Sequence, residues 1–177
     1  MAELKGKKVL MIIAERNFRD EELLKPRKIL EDGGVKVTVA STSLKNARGM
    51  LGATVKPDIL LSSVKVQDYD VIIFVGGSGA SQYWNDPLAH SIAQKVVQKG
   101  KILCAICIAP VTLANAGVLS GKKATVFSSE ISKLEAKGVI YTGKPVQVDG
   151  KIITGEGPQA AQEFGEAIVK ALENLPE

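Results

Sequence analysis

Cys107 lies where an apolar strand pattern changes directly into a helix pattern. The strand pattern is Ile102–Ile106 (ILCAI), and small residues at helical spacing follow over residues 110–116. A nucleophile on a sharp strand-to-helix turn is lifted out of the sheet, and the N–H groups of the helix point towards it. These surroundings favour the thiolate, the nucleophilic form of cysteine. The sequence therefore predicts that Cys107 is a reactive thiol on a nucleophile elbow.

A second cysteine, Cys104, forms a C-x-x-C spacing with Cys107. In redox motifs of this spacing both cysteines lie at the start of a helix, which brings the sulfurs together. Cys104 instead falls within the predicted strand, where positions three apart are separated by ~10 Å, beyond the reach of a disulfide. We therefore expect Cys104 to be a small buried apolar residue rather than a redox partner.

Composition limits the class of protein. A chain of 177 residues with 45% hydrophobic and 24% charged residues suits one globular domain. No apolar run approaches the ~20 residues that cross a bilayer, and Glu15 and Arg16 stand where a signal peptide would need small residues. The net charge of +4 is spread along the chain and aromatics are only 5%. We therefore expect a cytoplasmic protein that binds neither membrane nor nucleic acid.

Strand and helix patterns alternate along the chain. Strands are predicted over residues 8–14, 35–41, 71–75, 102–106 and 124–127, with a β excursion over 50–61 and a hairpin pairing 146–148 with 152–154. Helices are predicted over 20–32, 87–99, 110–116, 131–137 and 158–172. This alternation favours a single three-layer α/β/α domain, with a mostly parallel sheet covered by helices on both faces.

Three loops should meet at the carboxyl ends of the parallel strands, where sites form in such sheets. They are the loop of residues 15–22, the Gly-Gly-Ser-Gly loop of residues 76–79, and the turn that carries Cys107. Glycines allow a close backbone approach, so the second loop can present N–H groups to an anion. Beside a thiolate, these N–H groups would form an oxyanion hole.

Four segments together resemble the ThiJ/PfpI superfamily, which is related to class I glutamine-amidotransferase-like folds. The segments are AICIAPVTLANAGVLSGKKAT, IIFVGGSGA, DEELLKP and TGEGPQAAQEFGEAIVKAL. The resemblance extends from Val9 to Leu172. It implies one flavodoxin-like domain over residues 1–177, a homodimer, and no cofactor or metal.

The resemblance also assigns roles to particular residues. Cys107 matches the reactive cysteine, Glu22 the acid that hydrogen-bonds its sulfur, and Gly77 a backbone donor, with Ile108 as a second donor. A protonated Glu22 beside a thiolate is physically reasonable, because two adjacent negative charges repel each other. The alternative is that Glu22 is a solvated acid in the first turn of a helix.

Further residues are expected around the mouth of the site. Gly76, Ser78, Arg19 and Glu156 are candidates for its lining, although Glu156 could instead form only an ion pair. Tyr83 and Trp84 are either an exposed aromatic contact between subunits or a lid over the glycine loop.

The chain departs from the family pattern at three positions. Ile108 stands where protease-like members have a histidine, and Arg19 stands where they have an additional acid. Phe127 replaces a histidine found in another branch. The single histidine, His90, falls in a helix away from the strand ends and is a poor candidate for a base. Without a histidine beside Cys107, cleavage of amide bonds is disfavoured.

Two functions remain open at this point. The resemblance implies a glutathione-independent glyoxalase or a deglycase, in which Cys107 adds to a small reactive aldehyde and Glu22 transfers the proton. The alternative is a stress protein or chaperone without turnover, whose Cys107 is oxidised by peroxide to sulfinate. A third interpretation is a binding domain with an incidental cysteine, because fold alone does not fix function.

Overall fold

The computed structural model describes residues 4–176, so the outermost residues of the predicted domain (1–3 and 177) lie outside the described residues. Within this range the strands are β1 (Lys8–Ile12), β2 (Arg16–Phe18), β3 (Lys36–Ser41), β4 (Ala47–Gly49), β5 (Thr54–Val55), β6 (Ile59–Leu60), β7 (Val71–Phe74), β8 (Ile102–Ile106), β9 (Lys123–Ala124), β10 (Ile140–Tyr141), β11 (Val146–Asp149) and β12 (Ile152–Gly155). The α-helices are α1 (Asp20–Asp32), α2 (Pro87–Gln98), α3 (Pro110–Asn115), α4 (Ile131–Glu135) and α5 (Ala161–Glu173).

A seven-stranded sheet in the order β11-β12-β8-β7-β1-β3-β6 forms the centre of the molecule. All its neighbouring strands run parallel except β11, which pairs antiparallel with β12. Every residue of β7 and β8 is buried, as expected for parallel strands covered on both faces. The predicted α/β class with a mostly parallel sheet is confirmed.

Alternate side chains of each strand enter opposite cores. Leu10, Ile72 and Leu103 pack with α2 and α3, whereas Val9 and Ile73 pack with α1 and α5. This alternation follows from the two-residue period of a strand. It produces the three layers, with the sheet between two helical layers. None of the helices within residues 4–176 has the length and apolar character needed to cross a membrane.

The segment after α3 differs from the prediction of a strand over residues 124–127. Only Lys123–Ala124 forms a strand, and it pairs with β10, which the sequence pattern did not indicate. The reason is that the following amides bond elsewhere: Thr125 N–H donates to Thr154 Oγ1 at 2.9 Å, and Phe127 N–H donates to the Cys107 carbonyl at 2.8 Å. Residues 125–127 therefore brace the elbow instead of extending a ladder.

A small second sheet, β2-β4-β5, lies beside the central one and holds the loop before α1. The sequence predicted β structure within residues 50–61 but not β2. Asp20, the first residue of α1, connects the two parts because its carboxylate accepts from Leu51 N–H at 2.9 Å and from Ala53 N–H at 2.8 Å. The entry to α1 and the β4–β5 hairpin are therefore fixed to each other.

Helix α1 continues through Pro26 and packs closely on α5 at Gly165. A Cβ atom on Gly165 would lie 2.8 Å from Ile29 Cδ1 and 3.1 Å from Pro26 Cα. We expect Gly165→Val to lower the free energy of unfolding by about 1–3 kcal/mol, because it overpacks this contact. Urea unfolding measures the change. Glu166→Val, at an exposed position of the same helix, is the matched control, and an equal loss in both variants would contradict the prediction.

Candidate active site

Cys107 lies immediately after β8 in a backbone conformation that few residues adopt. Its φ is +65°, in the left-handed region, where a non-glycine residue costs about 1–3 kcal/mol. Two hydrogen bonds hold it there: its N–H donates to the Gly155 carbonyl at 2.9 Å, and its carbonyl accepts from Phe127 N–H at 2.8 Å. The residue is 7% exposed. The structure thus places the cysteine on a tight strand-to-helix turn, as the sequence predicted.

Two glycines of the neighbouring loop bring its backbone against the thiol. A Cβ on Gly76 would lie 2.5 Å from Cys107 Cβ and 2.6 Å from the Ile106 carbonyl, and it would collide with Glu22 Oε1. Gly77 has a φ of +102°, and its Cα is packed against the backbone of residues 17–19. The amides of Gly77 and Ile108 both interact favourably with the Cys107 sulfur as a thiolate. These are the two backbone donors expected from the sequence.

Glu22 lies in the first turn of α1 and is completely buried. Its carboxyl group interacts with the Cys107 thiol and the Gly76 amide, but neither oxygen forms a hydrogen bond of good geometry within residues 4–176. The alternative of a solvated helix acid is therefore wrong. A buried carboxyl with weak partners is poorly suited to carry a charge.

The burial of Glu22 has a direct effect on its proton. Burial raises the pKa of Glu22 to about 8, against smaller lowering effects of the Cys107 contact and the Arg19 charge. At neutral pH the carboxyl group therefore keeps its proton. Protonated Glu22 is therefore able to donate a proton to a group bound at Cys107.

The thiol responds to the same surroundings. Burial, followed by the negative charge of ionised Glu22, raises the pKa of Cys107 to about 12, and the Gly77 and Ile108 amides act in the opposite direction. The amides of the turn therefore favour the thiolate, as expected, but burial and the charge of ionised Glu22 outweigh them. The charge of Glu22 disappears when Glu22 is protonated, so the thiolate depends on the proton held by its neighbour.

A cavity of about 440 Å³ opens above Cys107. Of the residues predicted from the sequence, Arg19, Gly77, Ser78, Cys107 and Ile108 line it, and Gly76 lies beneath. The other lining residues are Met50, Ser81, Trp84, Phe127, Ser129, Glu130 and Pro158. The cavity can hold a small molecule over the sulfur.

Glu156 does not line this cavity, which corrects the sequence prediction. It lines a separate cavity of about 260 Å³, and Phe127 and Pro158 contribute to both spaces. The reason is that β12 ends at Gly155 and the Glu156 N–H then bonds to the Pro145 carbonyl, at 2.9 Å, on the side of β11. The ion pair considered for Glu156 is also not formed within residues 4–176.

Arg19 provides a positive charge at the edge of the cavity. Its guanidinium binds Glu21 through two hydrogen bonds, with Nε–Oε1 at 2.9 Å and Nη2–Oε2 at 3.0 Å. The charge of Arg19 also acts on Glu22 and Cys107. At the position where protease-like relatives carry an acid, this chain therefore has a cation that favours a negative charge on the site.

An acidic residue that the sequence reasoning missed, Glu130, also lines the cavity. Glu130 accepts from Lys133 Nζ at 2.6 Å and from Ser129 Oγ at 2.7 Å. Although burial raises its pKa, these two hydrogen bonds outweigh burial and keep the pKa of Glu130 below its ordinary value. In the sequence, the only hint of this residue is the Ser-Ser-Glu segment that follows Phe127. That segment reaches the cavity only because residues 125–127 follow an irregular path, which the sequence pattern does not predict.

Of the two aromatic residues after the glycine loop, Tyr83 is internal and Trp84 is partly exposed. Tyr83 is buried and its hydroxyl donates to the Ile13 carbonyl at 2.8 Å, while Trp84 Nε1 donates to the Ile108 carbonyl at 3.0 Å. Trp84 also lines the cavity, so it covers the elbow as a wall. His90 Nε2 donates to the Trp84 carbonyl at 2.8 Å and is not among the residues lining the cavity.

Comparison with known proteins identifies the family. Residues 7–171 match the DJ-1/PfpI family model. The chain belongs to the DJ-1/PfpI family. A crystal structure of a ThiJ/PfpI domain protein from Brachyspira murdochii, 32% identical, superposes with a TM-score of 0.95 over 97% of this chain and 99% of that one. The flavodoxin-like fold expected from the resemblance is thereby confirmed.

Three relatives show how the family varies. An uncharacterized protein of Methanocaldococcus jannaschii is 42% identical over 96% of this chain and 84% of its own. A deglycase of Pyrococcus horikoshii is 31% identical over 93% of this chain and 99% of its own. A glutathione-independent glyoxalase of Caenorhabditis elegans is 29% identical over 94% of this chain and 89% of its own.

The raised pKa of Glu22 predicts how stability changes with pH. The unfolded chain loses this proton near the ordinary value of 4.5, whereas the folded protein keeps it until about pH 8. Stability is therefore expected to fall as pH rises through this window. Glu22→Gln stays neutral, so its thermal unfolding temperature should fall less between about pH 5 and pH 8, which calorimetry can measure.

Glu21→Gln is the matched control, because Arg19 lowers the pKa of Glu21 through a hydrogen bond. The contribution of Glu21 to stability therefore depends on pH with the opposite sign to that of Glu22. It is present above the ordinary pKa of a glutamate and is lost as pH falls. Parallel curves of unfolding temperature against pH for wild type and Glu22→Gln would contradict the prediction.

Proposed function

We propose that this protein acts on small reactive aldehydes through Cys107, with Glu22 as general acid and base. The observation that carries the proposal is a completely buried carboxyl group, whose pKa burial raises to about 8, beside the only cysteine that lines the 440 Å³ cavity. The glyoxalase and deglycase names of two relatives support the same class of chemistry. The reaction is a proposal for this chain.

Methylglyoxal illustrates the chemistry. The Cys107 thiol releases its proton to solvent as its sulfur bonds to the aldehyde carbon, and the carbonyl oxygen takes the proton of Glu22 to give a hemithioacetal. Glu22, now a carboxylate, removes the proton from that carbon, and a proton returned to the neighbouring carbon yields a thioester. Water then cleaves the thioester, which releases lactic acid and restores the thiol, and Glu22 regains a proton from solvent. The sum is methylglyoxal plus water to lactic acid, so no external oxidant, reductant or thiol is consumed.

The surrounding groups match the charges that develop in these steps. The Gly77 and Ile108 amides that face the sulfur are placed to stabilise negative charge on the thiolate and on the adjacent oxygen. Arg19 lies at the edge of the cavity, where its positive charge favours the carboxylate of the product. Apolar side chains of Met50, Trp84 and Phe127 complete the lining beside these polar groups.

Amide cleavage is disfavoured at this site. A cysteine peptidase needs a base that activates the thiol and then protonates the amine that leaves. Ile108 occupies the position next to the thiol, and His90 does not line the cavity. A carbonyl addition needs no amine leaving group, so Glu22 alone can serve it.

Lactate formation from methylglyoxal tests the proposal. We expect wild type to produce lactate, Cys107→Ser to match buffer alone, and Glu22→Gln to lose about 100-fold or more in rate, because a general acid and base typically contributes that much. Cys104→Ala is the control: Cys104 is completely buried in the strand and does not touch the cavity. No lactate from wild type, or equal rates in wild type and Glu22→Gln, would refute the assignment.

Thiol oxidation is the second candidate, and the hydrogen-bond donors around the Cys107 sulfur favour it. The thiolate would displace hydroxide from one peroxide molecule to give a sulfenate, and a second peroxide would give the sulfinate. A neutral Glu22 and two backbone amides can donate hydrogen bonds to the resulting oxygens. Such a protein would sense peroxide without turnover.

Mass spectrometry after limited peroxide treatment distinguishes this candidate. We expect a gain of two oxygens on Cys107 and none on Cys104, which has no exposed surface. Glu22→Gln keeps a neutral donor and should still accumulate sulfinate, whereas Glu22→Leu should not. Oxygen added equally to both cysteines, or none on Cys107, would eliminate the sensor function.

A cytoplasmic location and a homodimer remain predictions. Of the two aromatic residues proposed as a subunit contact, Tyr83 is buried, whereas Trp84 is partly exposed and also bonds to the elbow. The family resemblance remains the main support for the dimer.

A further inference from the structure

A polar cleft of about 660 Å³ lies at the small sheet and is separate from the Cys107 cavity. Its lining consists entirely of polar and charged residues: Glu15, Arg16, Asn17, Ser43, Lys45, Asn46 and Arg48. None of them lines the cavity above the thiol. The function proposed above therefore leaves this cleft unexplained.

Positive charge is concentrated in the cleft without a compensating partner. Arg16 and Arg48 are register partners on the paired strands β2 and β4, so two like charges stand side by side. Within residues 4–176, neither arginine nor Lys45 forms an ion pair, and Glu15 is the one acid in the lining. Like charges at directly paired positions destabilise a sheet. A bound anion would remove this repulsion.

The backbone that carries these charges is firmly held. The β2–β4 register is interrupted between Arg16 and Phe18, and Asn17 at that point has a φ of +63°. Arg48 N–H donates to the Glu15 carbonyl at 3.0 Å, and the Arg16 carbonyl packs directly on Gly79, leaving no room for a Cβ. Bulges of this kind redirect side chains at functional positions. The two arginines are therefore presented on a fixed support.

We propose that the cleft binds a phosphorylated sugar. Arg16 and Arg48 would hold the phosphate, because guanidinium groups bind phosphate oxygens in pairs, with Lys45 adding charge. Asn17, Ser43 and Asn46 offer donors and acceptors to sugar hydroxyls, and Glu15 accepts from them. The lining contains no aromatic side chain, so a nucleotide base would find no surface on which to stack. The volume lies in the range of small-molecule sites.

Titration calorimetry of the full chain at low ionic strength tests this site with ribose 5-phosphate, ribose and inorganic phosphate as separate probes. We expect ribose 5-phosphate to bind at least about tenfold more tightly than ribose or inorganic phosphate. Its affinity should fall as salt is added. Cys107→Ser should bind it as wild type does, which separates this proposal from the proposed aldehyde chemistry.

Arg16→Gln and Arg48→Gln should each weaken the binding of ribose 5-phosphate about tenfold or more, since each removes a charge-assisted hydrogen-bond pair. Arg27→Gln, an arginine of α1 outside the cleft, is the matched control and should bind as wild type does. Without ligand, neither cleft variant should unfold at a lower temperature than wild type, because each removes a like-charge contact. That second measurement separates lost binding from lost folding.

Three results would overturn the proposal. Equal affinity for inorganic phosphate and ribose 5-phosphate would show an anion site without a sugar site. Tighter binding of adenosine monophosphate than of ribose 5-phosphate would show a nucleotide site. Unchanged affinity in both arginine variants would show that the ligand binds elsewhere.

Discussion

The contact of Gly76 with Glu22 and Cys107 is the constraint on which the site depends. Three segments distant in the sequence meet at this glycine, and a single methyl group there would collide with the carboxyl group and with the cysteine. The close approach removes water from Glu22, which is the main cause of its raised pKa. It also places the Gly77 amide at the sulfur. Steric fit and proton chemistry therefore have one common origin.

The charge balance of the site follows from that contact. The pair Cys107 and Glu22 accommodates one negative charge more easily than two, because both groups are buried and adjacent. Arg19 adds a positive charge from the cavity wall, and its own partner, Glu21, lies on the exposed side. The chemistry available is the transfer of one proton between a thiol and a carboxyl group, which suits a small carbonyl compound or an oxidant.

The small sheet β2-β4-β5 serves two separate places. Through Asp20 it holds the loop that brings Met50 to the Cys107 cavity, and through Arg16 and Arg48 it forms the polar cleft. The two places are close in the sequence, because Arg48 lies in β4 and Met50 follows its end. A short, irregular sheet at the edge of a regular fold thus carries much of the chemistry that distinguishes this chain.

The roles of Glu22 and Gly77 came from the family resemblance, whereas the sequence by itself determined the parallel α/β fold, helix α1 with its bounds, the elbow at Cys107, and the meeting of the loops of residues 15–22 and 76–79 at that elbow. These follow from local patterns, because hydrophobic period, glycine positions and the ends of parallel strands are all encoded in neighbouring residues. Tertiary structure alone decided the proton states of Glu22 and Cys107, the exclusion of Glu156 from the cavity, the inclusion of Glu130, and the path of residues 125–127. Each of these depends on burial or on hydrogen bonds between distant segments, such as Phe127 N–H to the Cys107 carbonyl. Desolvation and long-range hydrogen bonding arise only when the chain is packed, so no local pattern reports them.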